Sequence, residues 1–262
     1  MNDMHIHLER GPYTKEWLLQ FIVYAQEKGI KKIGILEHSH RFKEFRKAYD
    51  SIIVESNYGL YQAEWLNRKS ELHLQQYKEF INEMRQIEFP IEIEFGLEVC
   101  FFPDKENVIK KCLEDFDWDF VTGSIHWIDG WGFDHAKTQG SWETQNVDEI
   151  YEKYYRLIIK LIESEIFDVI AHPDSIKCFN YTPKKSMKSL YKEVAKKLKN
   201  AKMKAEFNTG LNYRYGHKDL GINKELLEEL KNFNVDLITA SDAHCPEDVG
   251  TLIKEATEII KM

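Results

Sequence analysis

Short runs of β-branched and aliphatic residues alternate along this chain with longer segments whose apolar positions recur every three or four residues. The short runs predict seven strands: Met4–Leu8, Lys32–Leu36, Ile91–Leu97, Phe120–Ile125, Val169–Ala171, Ala205–Asn208 and Asp236–Ala240. The longer ones predict helices at Lys15–Lys28, Ala63–Ile87, Lys105–Phe116, Val147–Ser164, Lys185–Ala201, Lys224–Phe233 and Pro246–Ile260. Asp104 and Asn146 have side chains suited to helix N-caps. Strands that mostly alternate with helices are the signature of βα units around a parallel sheet, an α/β fold. The segment from Phe42 to Gly59 reads equally as helix or loop. No repeat, low-complexity tract or linker interrupts the series, so one domain over residues 1–262 is expected.

The polar residues that punctuate this pattern are unevenly placed. Asp3-Met-His5-Ile-His7, Glu37-His38, Gly96-Leu-Glu98, Ser124-Ile-His126, His172-Pro-Asp174 and Ser241-Asp242-Ala-His244 all stand at the downstream ends of predicted strands. In a β/α protein the loops leaving those ends build the catalytic face, so ligands spread from Asp3 to His244 can converge on one point. Imidazole and carboxylate are what divalent transition metals prefer. An open sheet would concentrate its site at one switch point. Metal-type or polar residues on six of the seven predicted strands fit a closed barrel better. Closure makes the first and last strands neighbours, which predicts that Asp242 meets His5 and His7.

Composition narrows the function. A chain of 262 residues, 43% hydrophobic, can bury a barrel-sized core undivided. A formal net charge of -8 argues against a nucleic-acid partner and for a small substrate. The apolar stretch Trp17 to Ala25 is broken by Gln20 and falls far short of the roughly 20 residues that span a bilayer, so no membrane partner is expected. Cys100, Cys112, Cys178 and Cys245 lack CxxC spacing and read as unpaired thiols of a reducing, cytoplasmic compartment. A cleaved leader is not expected, because the candidate site begins at Asp3. Lys185, Lys188, Lys192, Lys196 and Lys199 share one helix face, read as a solvated face rather than a polyanion contact.

Within the first strand, Asp3, His5 and His7 alternate with apolar residues and face the same way, so two imidazoles can share one ion. A carboxylate can bridge two cations where an imidazole cannot, which makes Glu98 the candidate bridge; Gly96 beside it permits close backbone approach. Glu92 and Glu94 read as solvated or supporting residues. His126 and His172, each where a loop begins, are placed to complete a second ion.

These motifs together resemble the PHP (polymerase and histidinol phosphatase) family. The tracts Gly123-Ser-Ile-His-Trp-Ile-Asp-Gly-Trp-Gly-Phe-Asp134 and Glu206-Phe-Asn-Thr-Gly-Leu211 look most like its histidinol-phosphatase branch. The resemblance implies a distorted (β/α)7 TIM-like barrel with two or three divalent metal ions, Zn, Mn or Fe. The first would be held by His5, His7, Glu98 and Asp242, the second by Glu98, His126 and His172, the third by His38 and His244. Many relatives supply another histidine soon after the first motif; His7-Leu-Glu-Arg-Gly-Pro-Tyr13 has none, and Glu9 is the substitute, with Glu37 or His40 as alternatives. Phosphate-gripping cations are implied at Lys177 and Arg214, with Arg10 and Arg41 as further candidates.

The activity so implied is hydrolysis of a small phosphate monoester, L-histidinol phosphate in the branch resembled, with Glu98, Asp242 and His244 as the catalytic side chains. Asp242, His244 or a bound water would protonate the leaving oxygen, and Asp129, Asp134 or Glu9 would accept from the substrate's nitrogens. Three alternatives remain open. One is a PHP phosphoesterase acting on phosphotyrosine, a nucleotide or a nucleic-acid 3′ end. The others are an amidohydrolase-like metal hydrolase, which typically bridges its metals with a carboxylated lysine, and a metal-holding domain without turnover.

Overall fold

Seven parallel strands organise the chain in a computed structural model, which describes residues 1–56 and 58–262. They are β1 (Asn2–His7), β2 (Lys32–Leu36), β3 (Glu92–Cys100), β4 (Phe120–Ser124), β7 (Val169–Ile170), β8 (Lys204–Asn208) and β9 (Leu237–Ala240), hydrogen-bonded in that order, while β5 (Trp127–Ile128) and β6 (Trp131–Gly132) form a separate hairpin. The His7 N–H donates to Ala243 O at 2.8 Å, Ile6 and Ala243 form a parallel bridge, and Asp3 accepts from Ser241 N–H (2.8 Å) and Oγ–H (2.6 Å). β1 therefore lies against β9, and the sheet curls into a nearly closed (β/α)7 barrel. Asp3 shares the face of His5 and His7 in the sequence pattern, yet its oxygens go to this seam and to Gly250 N–H (2.7 Å).

Around the barrel lie α1 (Lys15–Glu27), α2 (Gly59–Lys69), α3 (Leu74–Met84), α4 (Glu106–Leu113), α5 (Val147–Glu163), α6 (Lys188–Ala201), α7 (Gly210–Tyr215), α8 (Lys224–Asn232) and α9 (Ile253–Lys261). Helices that cover a parallel sheet bury its strands on both faces, and β2 after Lys32 and all of β4 accordingly read as unbroken apolar or small runs, Ile-Gly-Ile-Leu and Phe-Val-Thr-Gly-Ser. α5 shows the matching stripe, with Ile150, Tyr154, Ile158 and Leu161 buried at three- and four-residue spacing. Each such aliphatic side chain contributes about 1.5–3 kcal/mol on burial. A Cβ on Gly96 would stand 2.4 Å from Phe120 O, so glycine is what lets β3 and β4 pair beside Glu98. Among the described residues no helix is long and apolar enough to cross a membrane.

The structure departs from the sequence reading at several boundaries. The helix expected over Ala63–Ile87 is two helices, because Leu72 leaves helical geometry to pair with Phe42 and to bond Arg41 O (3.1 Å). His73, expected within that helix, stands at the start of α3, where Gln76 accepts its N–H (2.9 Å) and Glu44 accepts Leu74 N–H (2.9 Å). Lys105 rather than Asp104 is the N-cap of α4; Asp104 has a left-handed backbone, φ 66°. Asn146 is at the N-cap of α5, but its amide donates to the Glu149 side chain instead of accepting from the helix. The last expected helix splits into a 3-10 turn (Pro246–Asp248) and α9, separated by left-handed Leu252. β3 runs on to Cys100, so Glu98 lies inside it rather than at its end. The ambiguous Phe42–Gly59 segment contains a long 3-10 helix, Lys43–Ile52; Asn57 lies outside the described residues. The five lysines expected on one solvated face are all exposed.

Candidate metal centre

The carboxyl ends of β1, β2, β3, β4, β7 and β9 bring imidazoles and carboxylates together around Glu98. Its Oε2 lies 3.3 Å from His5 Nε2, 3.4 Å from His7 Nε2 and 2.7 Å from His38 Nδ1. Its Oε1 lies 3.1 Å from His126 Nε2 and 3.2 Å from His172 Nε2. Asp242 Oδ1 is 3.5 Å from His7 Nε2 and 3.9 Å from His5 Nε2. His244 Nε2 is 3.4 Å from His38 Nε2 and 3.6 Å from Glu9 Oε1. Three clusters result, His5–His7–Glu98, Glu98–His126–His172 and His7–His38–His244, each compact enough to hold one ion.

Two observations test whether divalent cations fit these clusters. Donors about 2.0–2.1 Å from a tetrahedral ion stand roughly 3.3 Å apart, which is close to most of the separations above. The shorter ones, His38 Nδ1 to Glu98 and His5 Nε2 to His7 Nε2 (2.8 Å), are distances that share a proton. Second, Glu98 Oε2 is buried among three imidazoles with no hydrogen bond of acceptable geometry, although buried charges are ordinarily hydrogen-bonded, paired or bound to metal. The donor set fits divalent metal ions.

An outer layer of acceptors aims the rings. His5 Nδ1 is 2.7 Å from Glu206 Oε1, His126 Nδ1 is 2.6 Å from Asp134 Oδ2, and the Nδ1 atoms of His7 and His244 meet Leu36 O (3.1 Å) and Asp242 O (2.9 Å). With the proton on Nδ1, each ring presents the Nε2 lone pair to the mouth. His172 and Asp242 reach inward from left-handed backbones, φ 27° and 57°, a strained geometry that collects at functional sites.

Electrostatics follow the same geometry. Burial, reinforced by His38 and His244, drives the His7 imidazole well below its usual range. Burial also takes His244 down to about 4, with Arg214 and His38 adding to it against Asp242. Against burial, His38, His126 and His172 hold the Glu98 carboxyl well below the usual range, and Arg214 and His7 do the same for Asp242. Glu9 is lowered to about 2 because His38, His7 and His244 outweigh its burial. His126 is raised to about 10, Asp134 and Glu98 overcoming desolvation.

The mouth opens into a cavity of about 360 Å³ lined by His38, His126, His172, Asp242 and His244 from the cage and by Arg214, Lys69, Trp65, Trp127, His40 and His135. Of the four cations expected to grip phosphate, only Arg214 is there, 3.2 Å from Asp242 Oδ2 and 3.1 Å from Asp242 O. Lys177 is turned away and buried, bound to Asp174 Oδ2 (2.7 Å), Asp219 Oδ2 (2.9 Å) and Gly221 O (2.6 Å). Arg10 is exposed outside the cavity, and Arg41 is committed to Glu37 and Tyr13. Glu37 is likewise withdrawn, accepting from Leu8 N–H (2.9 Å) and Arg41. Asp129 pairs with Lys153 at the surface. Sequence reasoning gave no role to Glu206, Lys69 or His135. Glu206 carried a legible signal, because Glu206 and Asn208 alternate with Ala205 and Phe207 and so share a face. Asp134, one of three residues expected to accept from a substrate nitrogen, orients His126 across the hairpin of β5 (Trp127–Ile128) and β6 (Trp131–Gly132), whose Asp129–Gly130 turn has the two positive φ angles of type I′.

Fold and mouth together define a class: a parallel β/α barrel whose strand ends present a histidine and carboxylate cage that fits divalent cations. The sequence profile of the PHP domain matches residues 3–210, and the chain belongs to that family. It is 28% identical to a probable histidinol-phosphatase of Deinococcus radiodurans over 201 residues, 75% of this chain and 76% of that protein. It is 24% identical to the histidinol-phosphatase of Bacillus subtilis over 278 aligned positions, 95% of each. Two solved structures share the fold. One is the histidinol phosphate phosphatase of Lactococcus lactis complexed with zinc, L-histidinol and phosphate (TM-score 0.72, 19% identity, covering 99% of this chain and 92% of that one). The other is the putative histidinol phosphatase of Listeria monocytogenes (TM-score 0.76, 16% identity, 97% and 99%).

Proposed function

We propose that this chain is a metal-dependent phosphate monoester hydrolase that converts L-histidinol phosphate and water to L-histidinol and phosphate, a cytoplasmic step of histidine biosynthesis. The observation that carries this reading is Glu98, one buried carboxylate whose two oxygens face five imidazoles at 2.7–3.4 Å. His5, His7, Glu98 and Asp242 would hold a first ion and Glu98, His126 and His172 a second. His38, His244 and Glu9 would hold a third. When bound, such ions supply Lewis acidity toward phosphoryl oxygens and an activated water.

The chain's own groups do the rest. Arg214 donates to a phosphoryl oxygen and stabilises charge as it builds there, its fork of donors suited to two oxygens at once. Asp242, kept ionised by Arg214, accepts the proton released by the attacking water. Asp242, once protonated, delivers that proton to the leaving oxygen, since His244 is driven down to about 4 and would face the third ion through Nε2. Trp65, Trp127, His40 and His135 form flat walls suited to a planar ring, and the buried, unpartnered Asp134 Oδ1 is an acceptor for an N–H of the leaving group.

The names of the relatives support the substrate. Protein loaded with Zn2+ or Mn2+ is to be assayed with L-histidinol phosphate and with p-nitrophenyl phosphate. Phosphate release from the first at much the higher kcat/KM is expected. No release from either ester sinks the phosphatase reading, and release from the generic ester alone removes the assigned substrate.

A further inference from the structure

Glu37 and Arg41 were candidates for the site and stand just outside it, which raises the question of what a buried ion pair does there. Glu37 is fully buried and the Arg41 side chain is 14% exposed. A pair of this kind adds little net stability, since desolvation offsets most of the attraction, and its best-attested use is to fix a register. Its partners show which register. Glu37 Oε1 accepts the Leu8 N–H at 2.9 Å, and Arg41 Nη2 donates to Glu9 O at 3.5 Å. Between them Leu8 O accepts from Trp17 Nε1 (3.0 Å) and Gly11 N–H (3.0 Å). The backbone on both sides of the Leu8–Glu9 peptide is thus held by side chains from other segments. Tyr13 completes the clamp, its hydroxyl accepting from Arg41 Nη1 at 3.2 Å. Glu37 also immediately precedes His38, so one clamp ties the exit of β1 to the exit of β2. What it holds in place is Glu9, whose carboxylate stands 3.6 Å from His244.

We propose that Arg41 and Glu37 are positioning residues that fix Glu9 against His38 and His244 and thereby form the third cation site. Neither touches the ions or the substrate. A carboxylate carried on a loop keeps one position beside two imidazoles only if the loop is held. The inference rests on the reading of Glu9 as a third-site ligand, and the experiment separates the two.

Chelator-stripped wild type, Arg41→Met, Arg41→Lys and Glu9→Gln are titrated with Zn2+ alone; bound ions are counted by elemental analysis and affinities read by calorimetry, with circular dichroism as the check on folding. Wild type is expected to take up three ions. Arg41→Met should keep the first two at unchanged affinity and bind the third about ten- to a hundredfold more weakly, the usual effect of removing an outer support. Arg41→Lys keeps the charge beside Glu37 but cannot span Tyr13 and Glu9 together, and should fall between. A third ion bound as tightly as in wild type by the folded arginine variants overturns the proposal, and so does equal weakening of all three sites. If Arg41→Met does not fold, Arg41→Lys decides alone on the same criterion. Wild type that takes up only two ions, or Glu9→Gln that keeps the third at full affinity, instead sinks the reading of Glu9.

Discussion

Replacing Glu206 by Gln is the sharpest test of how the cage is built, because it changes one atom's chemistry and almost no volume. Glu206 is fully buried and accepts on both oxygens: Oε1 from His5 Nδ1 at 2.7 Å, Oε2 from His172 N–H and Asn208 Nδ2 at 3.1 Å each. A glutamine must choose. With its oxygen toward His5, its amide nitrogen confronts two donors, leaving buried N–H groups unpaired at about 1–3 kcal/mol. With its oxygen toward His172, it donates to His5 Nδ1, which moves the imidazole proton to Nε2 and removes the lone pair that faces the mouth. Either way a charge-assisted bond worth about 1.5–3 kcal/mol is lost, and outer-layer losses of this kind weaken metal binding about 10- to 100-fold. Glu206→Gln is therefore expected to bind its first ion one to two decades more weakly while keeping its fold. Competition for Zn2+ against a chelator of known affinity measures this directly, with a thermal melt of the ion-free protein run alongside. Wild-type affinity in a folded Glu206→Gln protein refutes the argument that this carboxylate sets the His5 tautomer.

Three further substitutions separate the roles assigned above. Glu98→Gln should lower ion content and cut phosphate release by about a hundredfold or more, since both sets of donors that share Glu98 lose charge at once; full occupancy with normal turnover would take Glu98 out of the site. Arg214→Ala should raise KM for the phosphate ester about tenfold or more, and identical KM and kcat would dismiss it as the phosphate contact. Lys177→Met should destabilise the fold by about 1–3 kcal/mol in denaturant titration, because it removes the cation from the buried Asp174 carboxylate and leaves it only Tyr155 and Asn223 as donors, and should leave KM alone. A raised KM at unchanged stability would return Lys177 to the cavity.

Much of this is legible in the amino-acid sequence, and the reason is geometric. Ligands in a parallel barrel must stand where strands end, apolar runs mark the strands, and so His5, His7, His126, His172 and Asp242 are visible as polar residues at the downstream edges of such runs. Groups that act through another side chain leave no such mark. Asp134 reaches His126 only because a two-residue turn folds the chain back eight residues later, and Arg41 meets Glu9 only in three dimensions. Lys177 misled because sequence places a residue on a loop without saying which way the loop turns it; Asp174, three residues earlier, and Asp219 capture it. The break between α2 and α3 was hidden for a related cause. No glycine or proline interrupts Ala63–Ile87, and the pairing of Leu72 with Phe42 is a contact between distant segments.

The division of labour among acids explains why the barrel holds together where it is self-sufficient and depends on cations where it is not. Asp3 and Glu98 are both buried, on neighbouring parts of one barrel, yet their surroundings differ. Asp3 accepts from two backbone N–H groups and a hydroxyl, and by joining β1 to Ser241 and Gly250 it closes the seam with its own partners. Glu98 has no such donors for its Oε2 and faces imidazole nitrogens instead. His172 and Asp242 add backbone strain at the same mouth. Backbone strain persists only where something offsets it, and a ligand that binds the folded chain alone supplies about 2.7 kcal/mol at a hundredfold excess over its Kd. The seam fixes the relative positions of β1 and β9 without help from any ion, so His5, His7 and Asp242 are already assembled when the first cation arrives, and the stabilisation that follows falls on the residues that do the chemistry.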